Sequence, residues 1–263
     1  MKIKSRLYFL SVIILTVLLS GVHTACLLTS YNSDVGYLDS TPLVLIMRIL
    51  YICGALWCLA IPLVSPKEAQ RPSVDTPLHM ILSNLAGSLF LFSGVCLFIN
   101  FVSAHTGTAL KPFLAVFAAL ASIFFFTESK RPQKLRAIHA PCGFLVLGFL
   151  FCLLFHIYFD MYVAINSPLK TALQLSVLSA MLFILFEIRA GIGKPMPRVA
   201  ITARLLCTLF CLPTAISHLV FGASALCGAL EKTVIDPFFS LPLLAIGLFA
   251  ASQLIFRKDA KNI

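Results

Sequence analysis

Four residues carry most of the chemistry this chain offers, and apolar side chains surround all of them. His156 and Asp160 stand one helical turn apart within 151-FCLLFHIYFDMYV-163. Arg48 interrupts the apolar run 42–64, and His218 interrupts the run 199–222. A carboxylate one turn from an imidazole can orient the ring or favour its cation. An arginine supplies the counter-ion that makes a carboxylate tolerable away from water. A charged side chain at the bilayer centre costs about 2.5–3.5 kcal/mol on insertion scales, so residues of this kind mark sites for ligands, ions or protons.

The surroundings are those of a membrane protein. The chain has 263 residues, of which 60% are hydrophobic and 11% charged. Its mean hydropathy is +0.99. Soluble domains carry about a quarter charged residues, so this chain lacks the polar surface to cover a water-soluble globule. Eight runs are long and apolar enough to span: 7–29, 42–64, 78–102, 111–127, 142–165, 169–188, 199–222 and 237–256. A span needs about 20 such residues. Unpaired backbone groups are not tolerated in lipid, so the runs must be helices, and they lack the alternation of barrel strands. Pro42, Pro77, Pro112, Pro141, Pro168 and Pro237 mark helix ends, since proline suits a first turn. The expected fold is all-α: one polytopic membrane domain over residues 1–263, with eight spans.

The net charge of +10 raises nucleic acid as a partner, but its distribution excludes it. The basic residues sit in short segments between apolar runs, which is the pattern that orients spans. With the N-terminus cytoplasmic, sixteen of the twenty Lys and Arg fall inside. Lys111, Lys170 and Lys232 fall outside, and Arg48 lies within a span. Both termini are therefore expected in the cytoplasm. Residues 1–26 also carry marks of a secretory signal, with small residues near Ala25. The apolar run is long for a signal core, and an uncleaved first helix is the preferred reading. Short loops and the lack of an Asn-x-Ser/Thr sequon suit a bacterial inner membrane.

Depth follows from about 1.5 Å of rise per residue. Arg48 falls about 9 Å below the outer boundary, Asp160 about 8 Å, His156 about 14 Å and His218 about 6 Å. Asn100 and His105 flank the outer end of the third run. Arg48 and Asp160 are thus a possible ion pair at matched depth, and Pro213 breaks the helical bond to the carbonyl of Leu209 beside His218. The expected site is a polar cavity in the outer half of the bilayer that binds a small molecule, an ion or a proton. Three structural alternatives stand beside it. Arg48 is within snorkelling reach of the headgroups; Asp160 is shallow enough to be hydrated; and His156 can serve as glue between helices. A metal held by His156, Asp160 and His218 has a thin ligand set. No cofactor is implied. Cys207 and Cys211 share a helix face, yet no zinc-like cysteine spacing occurs.

Motifs for other chemistries are missing. There is no GxxxxGK[ST], HExxH or GxSxG. Gly191-Ile192-Gly193-Lys194 resembles a phosphate loop only superficially. Glu128 and Glu187 each precede a base by two residues at the inner end of a run, a faint echo of duplication, although basic residues favour helix C-termini anyway. Two function classes follow. The first is a small transport or ligand-binding module that uses Arg48, His156, Asp160 and His218. The second is a non-catalytic partner or sensor acting through the basic inner segments 65–77 and 127–141. A membrane enzyme is a distant third.

Overall fold

The computed structural model describes residues 2–32, 37–64, 77–104, 110–129, 136–159, 167–226 and 237–255. Eight helices follow in order: α1 (Lys2–Ser30), α2 (Pro42–Val64), α3 (Pro77–Ala104), α4 (Leu110–Ser129), α5 (Arg136–Phe159), α6 (Pro168–Gly191), α7 (Pro197–Leu226) and α8 (Ser240–Ile255). A 3-10 turn, Pro237–Phe239, leads into α8. Seven of the helices are long and apolar enough to cross a membrane, and α8 is a shorter apolar helix. The described chain is therefore a helical bundle with the make-up of a multi-pass membrane protein. Its outward faces agree: Val17, Ile52, Leu56, Leu63 and Phe159 are all at least 60% exposed, a lipid-facing rather than water-facing surface.

Proline places several helix starts. Pro42, Pro77 and Pro168 are first residues, where the missing N–H has no bond to lose. Ser167 precedes Pro168 in extended conformation, and its carbonyl accepts the Thr171 N–H at 3.0 Å. Pro141 departs from expectation. It lies inside α5 (Arg136–Phe159), which takes in residues 136–141 ahead of the expected start at 142; residues 160–165 lie outside the described residues. A proline within the first two turns forfeits few ladder bonds, so the helix tolerates it. The expected inner segment 127–141 shrinks accordingly, because residues 127–129 and 136–141 are helical. At the other end of α6, Gly193 adopts φ +86°. Its N–H bonds Ala190 O at 3.1 Å and the Lys194 N–H bonds Arg189 O at 3.1 Å. The Gly191–Lys194 stretch is a helix stop of the kind glycine favours.

Packing divides the bundle into two linked clusters. α1 and α2 pack on each other and on α7, while α3 to α6 and α8 form the larger core with α7. α7 is the hub, since it touches α1, α2, α6 and α8. α3 lies closest to α4, and Gly94 permits it: a Cβ there would come within 2.9 Å of Ala115 O. Between α1 and α2 the chain forms a short antiparallel ladder, β1 (Tyr31–Asn32) with β2 (Tyr37–Leu38). Asp39 N–H closes it on Ser30 O at 2.8 Å. Leu38 is fully buried, and the Tyr31 ring meets Phe221 of α7 edge-on at 5.3 Å. The hairpin thereby covers one end of α7.

Candidate functional site

Under that hairpin lies a chain of buried polar side chains from four helices. It starts on α1, where Thr16, Ser20 and Thr24 turn their hydroxyls back to carbonyls one turn earlier. Such hydroxyls satisfy themselves and need no neighbour. An imidazole has no such option. His23, with no exposed surface, places Nδ1 2.9 Å from the Tyr51 hydroxyl of α2. Tyr51 stacks flat on Phe210 of α7, with centroids 5.5 Å apart. Its hydroxyl lies 3.4 Å from Thr214 Oγ1 of α7. Ser176 of α6 completes the series, 2.9 Å from Thr214 Oγ1.

Pro213 supports the arrangement. Lacking an N–H, it leaves the α7 ladder one bond short. Side chains bond carbonyls close to it: the Ser176 hydroxyl is 2.9 Å from Phe210 O, and Ser217 donates to Pro213 O. Gly54, one turn after Tyr51, brings α2 against α1 and α7; a Cβ there would lie 2.9 Å from Leu209 Cδ2. Small residues thus set the depth at which Tyr51 meets Thr214.

His218 stands one turn beyond Thr214 and is 2% exposed. Its ring faces His23 edge-on, with centroids 6.2 Å apart and planes at 78°. Nε2 of His23 and Nε2 of His218 are both buried, with no hydrogen-bond partner among the described residues. Each such atom costs about 1–3 kcal/mol of desolvation unless something meets it. Two of them lie on facing rings, at the end of a hydrogen-bonded series. Chemically, each imidazole can offer an N–H or a lone pair at Nε2, according to its tautomer.

The four residues singled out from sequence fare differently. His218 belongs to this cluster. Arg48 is exposed on α2, one turn before Tyr51. His156 is half-buried on α5, tilted against Phe239 with centroids 4.8 Å apart. α5 packs on α4 and α6, whereas α2 packs on α1 and α7. Asp160 lies outside the described residues, and the expected Arg48–Asp160 pair with it; so does His105. Among the described residues no group of three or more His, Cys, Asp or Glu is arranged to hold a metal ion. The Cys207 and Cys211 thiols are 3.7 Å apart and free, and Cys211 Sγ lies 3.3 Å from Ser176 O. They are packing neighbours of the polar series.

Sequence reasoning missed His23, Tyr51, Ser176 and Thr214. The depth rule already contained the signal. From the ends of their runs, His23 falls at about 9 Å, Tyr51 at about 14 Å and Thr214 at about 12 Å. Hydroxyls are cheap in a helix, so Tyr51, Ser176 and Thr214 do not stand out in an apolar run, and His23 falls within the stretch that carries marks of a secretory signal. The two glutamates of the faint repeat are both buried, with different partners. Glu187 accepts from Arg204 Nε at 3.1 Å and Nη2 at 2.6 Å, joining α6 to α7. Glu128 lies among histidines. The basic inner segments proposed for a partner fall mostly on residues 65–76 and 130–135, outside the described residues.

Comparison of the chain with protein-family models, with curated proteins and with solved structures finds no match.

Proposed function

We propose that this chain is a small transport or ligand-binding module of the cell membrane, with its site between α1, α2, α6 and α7. The observation that carries the reading is the pair of facing, buried imidazoles whose Nε2 atoms have no partner among the described residues. Purely structural polar glue satisfies itself, as Thr16, Ser20 and Thr24 do. His23 and His218 each keep bonding capacity at Nε2 that no described residue takes up. A small solute that bears a hydroxyl, carbonyl or carboxyl group supplies the complement. Tyr51, Thr214 and Ser176 hold the His23 ring in place and relay its tautomer.

In this reading the chain crosses the bilayer eight times. The sixteen residues of α8 rise about 24 Å, and the 3-10 turn before it adds about 6 Å. Together they match a hydrocarbon core of about 30 Å. Both termini then lie in the cytoplasm, the side that receives most of the basic residues. The His23–His218 site falls in the outer half, beneath the β1–β2 hairpin.

Accessibility tests this. In a background without native cysteines, His23→Cys and His218→Cys are each treated from outside with a charged, membrane-impermeant methanethiosulfonate. Both are expected to react, and a small amino acid or carboxylic acid that binds should protect them. A cysteine at Val17, 68% exposed on the lipid face of α1, should stay unmodified. Folded variants that remain inert at both histidine positions would sink the proposal.

A further inference from the structure

The opposite end of the bundle holds a second polar cluster, built from the other helices. Glu128 near the end of α4 is buried, its side chain 1% exposed. His139 of α5 places Nε2 2.8 Å from Glu128 Oε2. His79 of α3 places Nε2 3.7 Å from Glu128 Oε1. Aromatic rings hold both imidazoles: Phe124 stacks on His139 at 4.3 Å, and Phe249 lies 5.3 Å from His79. Two histidines thus converge from different helices on one buried carboxylate.

The outer nitrogens of the two rings are treated alike. His79 Nδ1 is 3.0 Å from Ser252 Oγ of α8, and that hydroxyl is 2.7 Å from Phe249 O. His139 Nδ1 is 3.2 Å from Thr127 Oγ1, and that hydroxyl is 2.9 Å from Phe124 O. A hydroxyl has one hydrogen and can also accept. When a ring is neutral with its proton on Nε2, the hydroxyl donates to Nδ1. When the ring gains a second proton, the hydroxyl swings its hydrogen to the carbonyl and accepts from Nδ1–H. Each ring can therefore load or release a proton at Nδ1 while that nitrogen keeps its hydroxyl partner. A fixed structural histidine needs only one of these states; here both are provided for, twice.

We propose that His79, Glu128 and His139 form a proton-binding site, which loads and releases protons at the end of the bundle where α2 leaves for α3 and α4 for α5. The balance is simple. With Glu128 ionised and both rings neutral the trio carries one negative charge. One added proton makes it neutral, and a second makes it a cation. The groups on the packed elements fit this. α3 contributes His79, α5 His139, and α8 the uncharged Ser252. On α6 and α7, Glu187 and Arg204 neutralise each other at 2.6 Å. The site is independent of the His23–His218 site, which uses α1, α2, α6 and α7.

The test uses the full chain in lipid nanodiscs, labelled with nitrogen-15 at histidine. The six histidines are assigned by single His→Gln changes, and their protonation is followed by NMR between about pH 5 and 8, the range in which imidazoles titrate. His79 and His139 are expected to change protonation state, with Nδ1 gaining hydrogen as pH falls. Glu128→Gln should weaken proton binding at both rings about tenfold or more, because it removes an opposite charge in contact, and leave His156 unmoved. Rings that hold one state across the whole range in the wild-type protein overturn the proposal, and this result needs no variant to fold. So does a Glu128→Gln effect confined to loss of folded protein. Stoichiometric zinc or iron in the purified chain, with resonances that shift on chelation, would replace the proton by a metal cation and equally overturn it.

Discussion

At the residue scale, the split between what sequence showed and what it hid follows bonding capacity. His218 was visible because a histidine is rare in an apolar run. Tyr51 was not, because a tyrosine passes as an ordinary apolar residue until its hydroxyl has a destination. That hydroxyl bridges His23 Nδ1 at 2.9 Å and Thr214 Oγ1 at 3.4 Å. Tyr51→Phe keeps the ring stacked on Phe210 and removes only the bridge. It should cost about 1–3 kcal/mol by stranding a buried imidazole nitrogen. Thermal unfolding in detergent would show it as a lower midpoint, while Trp57→Phe, whose indole N–H bonds only the Ser11 hydroxyl at the exposed rim, should change little. Equal midpoints for Tyr51→Phe and wild type would mean that water replaces the hydroxyl and that the site is wet. Arg48 teaches the converse. Its charge is conspicuous in an apolar run, yet its side chain is exposed on α2, a position compatible with snorkelling toward headgroups.

At the element scale, the apolar runs gave helix existence and order, and the ends moved by up to six residues. The largest error, at α5, came from reading Pro141 as a start. Nothing in the run itself says that Arg136 to Ala140 join the helix. The structure adds a contact the run does not show: from this first turn His139 places Nε2 2.8 Å from Glu128 Oε2 of α4. Close contact between helices is likewise hidden in sequence, because it depends on small residues meeting a particular neighbour. Gly94 is the sharpest case, with backbone atoms of Ala115 and Ala119 at 2.9 and 3.0 Å from a would-be Cβ. Backbone cannot swing aside as a side chain can. Gly94→Ala should therefore destabilise the bundle by about 1–3 kcal/mol, the usual range for overpacking, whereas Gly21→Ala, with nothing within 4 Å, should be neutral or better. The measurement is the unfolding midpoint of each variant. A Gly94→Ala protein as stable as wild type would mean that α3 and α4 can separate freely.

At the scale of the whole molecule, charge placement argues orientation, while the two polar clusters show how the bundle is divided. One draws on α1, α2, α6 and α7, the other on α3, α4, α5 and α8, at opposite ends. Reporter fusions at residues 70 and 133 should read cytoplasmic, and fusions at 34 and 230 external, as the distribution of Lys and Arg requires. A fusion after residue 263 reading external would reduce the crossings to an odd number and remove α8 from the spans. The division also has a consequence in time. Tyr51 and Thr214 are separated by 163 positions, and a ribosome adds about 5–20 residues each second. The first hairpin therefore waits roughly 8–30 seconds in the bilayer before α7 emerges to complete it. Through that interval His23 and Tyr51 have mainly each other, and the apolar face destined for α7 is open to any passing helix. The first two helices therefore reach their final polar contacts only once the seventh is made.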